Sequence, residues 1–303
     1  MERSRDEMLY AVQKERISSS IIRFLKPNDL GAVIEVNKSA WPTGAPPEEA
    51  PHTWSAEMED SHLSAGIFDS NGKLMGYTFN FLKFDGNETS LWIHMMGVSA
   101  EFQGLGVGGR LMEFNFNLIN KSKLGETVSK MSLTSDPLAD KNMYFYLHKL
   151  GMYSHNYALG TYSEEKRSIE IPSDRLLFFK HPKATGERKY PNTETYGTIR
   201  INHPELFLEF DQTPSDKQNF KNNMFFVEVP TNINHVDNLG INDGVMWREF
   251  HRNTLPSLFQ KGYTAVDLTR SEISGKIQNF MVFIRNFDEK DSETISKTFN
   301  TLV

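Results

Sequence analysis

The chain has 303 residues, a formal net charge of −6 at pH 7, 38% hydrophobic and 12% aromatic residues, and no cysteine. That apolar content sustains a packed core, and the length predicts one domain plus an extension, or two small domains. The acidic balance excludes a broad nucleic-acid surface, and the missing cysteines exclude disulfides, thiol nucleophiles and thiolate metal sites.

The N-terminus, MERSRDEMLYAVQKER, is too charged for a secretion signal, and no apolar run is long enough to span a bilayer, so a cytoplasmic protein without membrane contact is expected. Residues 1–18 read as an N-terminal extension. Ile21–Leu25 reads as a strand, and Pro27-Asn28-Asp29 precedes a helix carrying Leu30, Val33, Ile34 and Val36, with Asn28 or Asp29 as its cap. Trp41–Pro47 is a proline-stiffened loop, followed by a short helix near Glu48–Glu59. Leu63–Asp69 and Lys73–Phe84 alternate around Ser70-Asn71-Gly72, a β-hairpin pattern. Leu91–Val98 is a long apolar strand, Leu111–Ile119 an apolar helix and Lys130–Ser135 the next strand, which Asp136-Pro137 ends. Asp140–Leu150 is an amphipathic helix stopped by Gly151, and Met152–Tyr157 and Arg175–Lys180 are strands. The polar stretch Lys183–Asn192 is the expected boundary. Beyond it, Gly197–Phe210 and Met224–Val229 read as strands, Asn232–Gly262 contains a helix, and Thr264–Leu268 and Ile277–Arg285 are strands.

The segment LWIHMMGVSAEFQGLGVGGR, residues 91–110, carries the chemistry. A strand that runs through glycines into a helix presents unpaired backbone N–H groups and the positive end of a helix dipole, an anion site. Gly104, Gly106, Gly108 and Gly109 remove side chains where a phosphate would approach. A Walker loop is excluded, because Gly109-Arg110-Leu111 lacks the Gly-Lys-Ser/Thr ending. Gly104-Leu105-Gly106-Val107-Gly108-Gly109 spells the dinucleotide pattern, but Ser99–Gln103 separates it from its strand and no acid ends the next strand at the required distance.

Val98, Gln103, Gly106 and Gly108 instead resemble the acyl-CoA loop of the GNAT superfamily of N-acetyltransferases, Gln/Arg-x-x-Gly-x-Gly/Ala. The resemblance implies the GNAT fold, an α/β (α+β) mixed central sheet flanked by helices, over residues 19–182. It implies acetyl-CoA or another acyl-CoA as co-substrate, no metal, and transfer of the acyl group to the primary amine of a small molecule by direct attack on the thioester. Gln103, Gly104, Leu105, Gly106, Val107, Gly108, Gly109 and Arg110 would hold the pyrophosphate. The strand amides of Met96, Gly97 and Val98 would meet the acyl-pantetheine. Asn142 and Lys149-Leu150-Gly151-Met152 resemble the segment closing the family's catalytic helix. Leu147 stands where many relatives carry the tyrosine that protonates the leaving thiolate, so Tyr144 and Tyr146 become the candidate acids.

His94 is the candidate general base, placed by strand alternation on the face of Met96 and Val98. The competing assignment is a core histidine satisfied by a carbonyl. His52, before the hairpin, is a weaker candidate. The nine histidines are scattered without HExxH spacing. His94–Val98, Thr134–Leu138, Asn142 and Pro172–Leu176 resemble one prokaryotic subgroup of predicted GNAT acyltransferases with a C-terminal region. Residues 193–303 would form that smaller α+β domain, a degenerate half-GNAT repeat or an unrelated extension, packing on the first domain or mediating a homodimer. Alternative functions are a non-catalytic acyl-CoA sensor or assembly protein and a protein or peptide N-acetyltransferase.

Overall fold

The computed structural model describes residues 13–41, 54–55, 58–59, 63–86, 88–161, 171–181, 190–210, 221–231, 240–273, 276–289 and 294–302. The chain divides into two compact units, residues 1–131 and 132–303.

In the first unit, β1 (Ile21–Phe24), β2 (Ala65–Phe68), β3 (Leu74–Asp85) and β4 (Glu88–Val98) form an antiparallel sheet in chain order. α1 (Leu30–Ala40) buries Val33 and Val36 in a cluster with Trp54, Tyr77 and Phe79. α2 (Val107–Lys121) buries Val107 and Leu111 in another, with Phe102, Met75 and Ile67. The expected cap of α1 is absent. Asp29 accepts from the Lys26 N–H at 2.8 Å and pairs with Arg23 at 2.7 Å, so the guanidinium has claimed the carboxylate. Buried inside the unit, Asn80 Nδ2 donates to Asn115 Oδ1 (2.9 Å) and Asn115 Nδ2 to Thr78 Oγ1 (3.1 Å), tying α2 to β3. β5 (Val128–Ser135) starts in this unit, where Ser129 Oγ donates to the Thr89 carbonyl at 3.2 Å.

The end of β5 opens the second unit. α3 (Asp140–Met143) continues as a π-helix over Tyr144–Lys149, and β6 (Tyr153–Ala158) and β7 (Arg175–Lys180) form a hairpin. α4 (Thr193–Asn202) and β8 (Phe207–Leu208) follow, then β9 (Met224–Val229), α5 (Ile241–Gln260), β10 (Tyr263–Ile273), β11 (Lys276–Arg285) and α6 (Thr294–Asn300). The strand expected over 197–210 is thus mostly helix. The Asn192 side chain accepts from the Thr195 N–H at 2.8 Å, an N-cap that starts a helix burying Tyr196 and Ile199. Local capping and that three-residue spacing overrode an alternating pattern.

Sheet order in this unit is β5-β7-β6-β10-β11-β9-β8. The same plan occurs twice: strand, helix, then an antiparallel hairpin whose second strand lies beside the first strand. β6 meets β10 through the pair Ser154–Ala265. Three residues before each of these lies a positive-φ glycine, Gly151 (φ 59°) and Gly262 (φ 82°). One residue after each comes a bulge, between Ser154 and Asn156 and between Ala265 and Asp267. The π-helical segment packs on β10, and α5 packs on β6. The two halves of this unit thus share the order of their elements, the bulge after the junction pair and the glycine before it.

Candidate active site

β4 ends where the anion loop begins. Ser99 N–H donates to the Met75 carbonyl at 3.0 Å. Donors on one side of an antiparallel strand recur every second residue, so the Gly97 N–H also faces β3, while those of Met96 and Val98 point away from it. Of the expected strand amides, Gly97 is therefore spent in the ladder. Its missing side chain matters instead: a Cβ there would lie 2.7 Å from the Tyr77 ring and 3.2 Å from Trp41.

The loop is braced from two sides. Gln103 Nε2 donates to the Val98 carbonyl at 3.1 Å, and Ala100 N–H donates to Ser39 Oγ of α1 at 2.9 Å. Phe102 is fully buried beneath the loop. Gly104 (φ 75°) and Gly106 (φ 89°) take the left-handed region, which turns the chain into α2. The first helical bond is Arg110 N–H to the Gly106 carbonyl, 3.1 Å. Among the described residues, the N–H groups of Gly104, Gly106, Val107, Gly108 and Gly109 have no backbone acceptor. A Cβ on Gly104, Gly106 or Gly109 would meet nothing within 4 Å, so the space above these donors is open. Five donors at the positive end of a 15-residue helix form an anion cradle.

Arg110 does not fit the expected role of extra phosphate contact. Its Nη1 donates to the Ile17 carbonyl and to Ser20 Oγ (2.5 Å), tying residues 13–20 to α2. That use, and the Ser39 brace, had no signal in the spacing of the loop itself.

His94 also departs from expectation. Phe79 pairs with Met95 and Asn80 with Ile93, leaving His94 as the extra residue of a β-bulge. The bulge breaks alternation and turns the ring onto the face of Phe79 and Phe81, 6.5 and 5.3 Å between centroids, rather than that of Val98. Solvent reaches the ring, but these apolar flanks lower its pKa through desolvation, keeping it neutral at neutral pH.

In the second unit, Asn142 is exposed on α3 and Leu147 is fully buried. Tyr146 packs on Phe178 (5.3 Å), and burial pushes its phenol up to about 12. Tyr144 is exposed and stacks on His148 at 4.7 Å. His148 Nδ1 lies 2.8 Å from Asp267, which also accepts from the Tyr196 hydroxyl at 2.8 Å. His52 lies outside the described residues. Among the described residues no cluster could hold a metal ion, and no helix is long and apolar enough to cross a membrane.

Residues 31–152 match the Acetyltransferase (GNAT) family. No curated protein matches the chain. Similar solved structures include Ard1 from Thermoplasma volcanium, 16% identical with a TM-score of 0.42, over 54% of this chain and 97% of that one. The ribosomal-protein-S18-alanine N-acetyltransferase from Escherichia coli is 19% identical (TM-score 0.41), over 57% of this chain and 99% of that one. Mosquito arylalkylamine N-acetyltransferase like 5b is 16% identical (TM-score 0.41), over 54% and 100%. The strand, bulge, glycine loop and helix all lie within the stretch, residues 31–152, that matches the Acetyltransferase (GNAT) family.

Proposed function

We propose that this protein is an acyl-CoA-dependent N-acyltransferase that acylates the primary amine of a small molecule. The observation that carries the reading is the cradle of five unpaired amides, Gly104 and Gly106–Gly109, at the start of α2. Arg110 is committed to Ile17 and Ser20, so selectivity for a phosphate would come from amide geometry and the helix dipole. Acetyl-CoA would supply the acyl group as a thioester. The N–H groups of Met96 and Val98, which point away from β3, would hold an acyl carbonyl as charge develops on its oxygen.

The attacking nitrogen must lose a proton as it bonds to the carbonyl carbon and the carbon–sulfur bond breaks. His94, neutral and solvent-reachable beside the bulge, is assigned as the acceptor of that proton, directly or through one water. Tyr144 and Tyr146 are the remaining candidates for returning a proton to sulfur. Residues 19–182 are taken as the catalytic domain and 193–303 as an accessory domain.

Calorimetric titration with acetyl-CoA, free CoA and NADH tests the loop. Micromolar binding of the CoA compounds and none of NADH is expected, and absence of CoA binding would sink the assignment. Thiol release during an amine screen then tests turnover, without background from a cysteine-free protein.

A further inference from the structure

One short segment of the first unit grips the anion loop at both of its ends. Residues 13–18 are helical, and Ile17 is buried in the same apolar cluster as Phe102, Val107 and Leu111. Where the loop starts, Gln13 Nε2 donates to the Glu101 carbonyl at 2.8 Å. The Arg16 guanidinium lies 4.7 Å from the centroid of the Phe102 ring and 3.5 Å from the Glu101 carboxylate. Where the loop runs into α2, Arg110 Nη1 donates to the Ile17 carbonyl and to Ser20 Oγ (2.5 Å). The segment is itself anchored to the sheet. Arg16 Nε and Nη2 donate to Asp69 Oδ2 at 2.9 and 2.6 Å, and the Asp69 side chain, in the turn between β2 and β3, is buried.

These tethers answer a weakness of the loop. Four of the six residues 104–109 are glycine, the residue that loses most backbone freedom when it is fixed. Five amides hold a phosphate well only if they already point the same way, because a loop that must be ordered on binding spends affinity on its own ordering. Gln103 and Ser39 brace the approach from β4. The exit is tied by Arg110, through Ile17 and Ser20, to the segment whose Gln13 and Arg16 reach Glu101 and Phe102 at the entrance. The two ends of the glycine run are thus set against one rigid piece, with Asp69 as its anchor.

We propose that residues 13–20 form a strap that holds the cradle in its amide-out shape, with Gln13, Arg16 and Arg110 as positioning residues for acyl-CoA that act through the loop. The strap stands on its tethers alone, while its effect on acyl-CoA rests on the acyltransferase reading. The test uses the full chain carrying isotopically labelled glycine, with free CoA as the probe in calorimetry. Arg23→Ala is the control, because Arg23 likewise pairs with an aspartate (Asp29, 2.7 Å) and covers a ring (Phe68, 3.9 Å) away from strap and loop. In ligand-free Arg16→Ala and Arg110→Ala, the amide signals of Gly104, Gly106, Gly108 and Gly109 should shift or broaden, and in the control they should not. CoA affinity should fall about tenfold in each strap variant, and the double variant should lose far less than the product, since both substitutions cut one strap. If Arg16→Ala fails to fold, Gln13→Ala removes only a solvent-exposed bond and should move the same signals. Unmoved loop glycines overturn the strap even where affinity falls, because a fall without movement is a lost charge acting at a distance. Moved glycines with unchanged affinity overturn the positioning of acyl-CoA. A wild-type chain that binds no CoA, with the glycines still responding, would instead overturn the acyl-CoA reading and leave the strap in place.

Discussion

Replacing Gly106 by alanine separates the loop's structural role from its ligand role. Gly106 has φ 89° and stands immediately before α2, and a Cβ there meets no atom within 4 Å. The substitution therefore creates no clash inside the protein. Its stability cost is the left-handed backbone of an L-residue, about 1–2 kcal/mol, or about 3–10 °C in Tm for a unit of this size. The new methyl group occupies the space above the free amides. Losing one or two charge-assisted N–H bonds to phosphate, each worth about 1.5–3 kcal/mol, predicts at least a tenfold loss of acetyl-CoA affinity. Gly72, in the turn between β2 and β3, is the control: φ is 80°, its Cβ space is likewise empty, and it lies outside the loop. Both variants should melt earlier by similar amounts, while calorimetry shows weakened binding for Gly106→Ala only. Equal affinity in the two variants would refute the cradle, whatever their stabilities.

Three further outcomes follow from the geometry. His94→Gln should lower turnover about 10²-fold or more; because desolvation lowers the His94 pKa, the wild-type rate should fall only as pH drops through that lowered value, and a variant that keeps the same acidic limb would clear His94 of the role. Asn115→Ala leaves the Asn80 amide and Thr78 hydroxyl short of partners inside the core, and chemical denaturation should report a loss of about 1–3 kcal/mol. Asp69 is buried, which alone would raise its pKa, but Arg16 and the N–H groups of Lys73 and Asn71 overcome this and hold it below the usual value. Its contribution is then present above the unfolded-state pKa and is lost as pH falls through the folded one. Asp69→Asn should cost about 2 kcal/mol at neutral pH, and its difference from wild type should shrink in acid, as melting across pH 2–7 would read.

Much of the site was legible in the sequence because it is local. The strand, glycine loop and helix over residues 91–121 are contiguous, and glycines that must turn left-handed can be read one by one. His94 could not be placed the same way. A bulge inserts a residue without changing composition, and nothing in Ile93-His94-Met95-Met96 says where alternation breaks. Arg110 was misread because its partners, Ile17 and Ser20, lie about ninety residues away. The same distance hid the Asp136–Arg248 pair, although Asp136 ended a recognised strand and Arg248 stood in a recognised helix. Over 197–202, alternation was a true feature of the sequence, but an asparagine cap and one buried face decided the backbone.

The doubled strand–helix–hairpin plan of the second unit has a consequence for any attempt to shorten the protein. β6 is covered along its far side by β10, and the junction rests on a single registered pair flanked by helices that each cross to the opposite half. Removing residues after 182 would strip that cover and leave β6 as an edge strand, with open N–H and C=O groups beside Tyr153 and Phe178. Such an edge recruits other chains. The β6–β7 hairpin is finished by the strands that follow it, so the shortened chain should self-associate while the full chain stays dispersed.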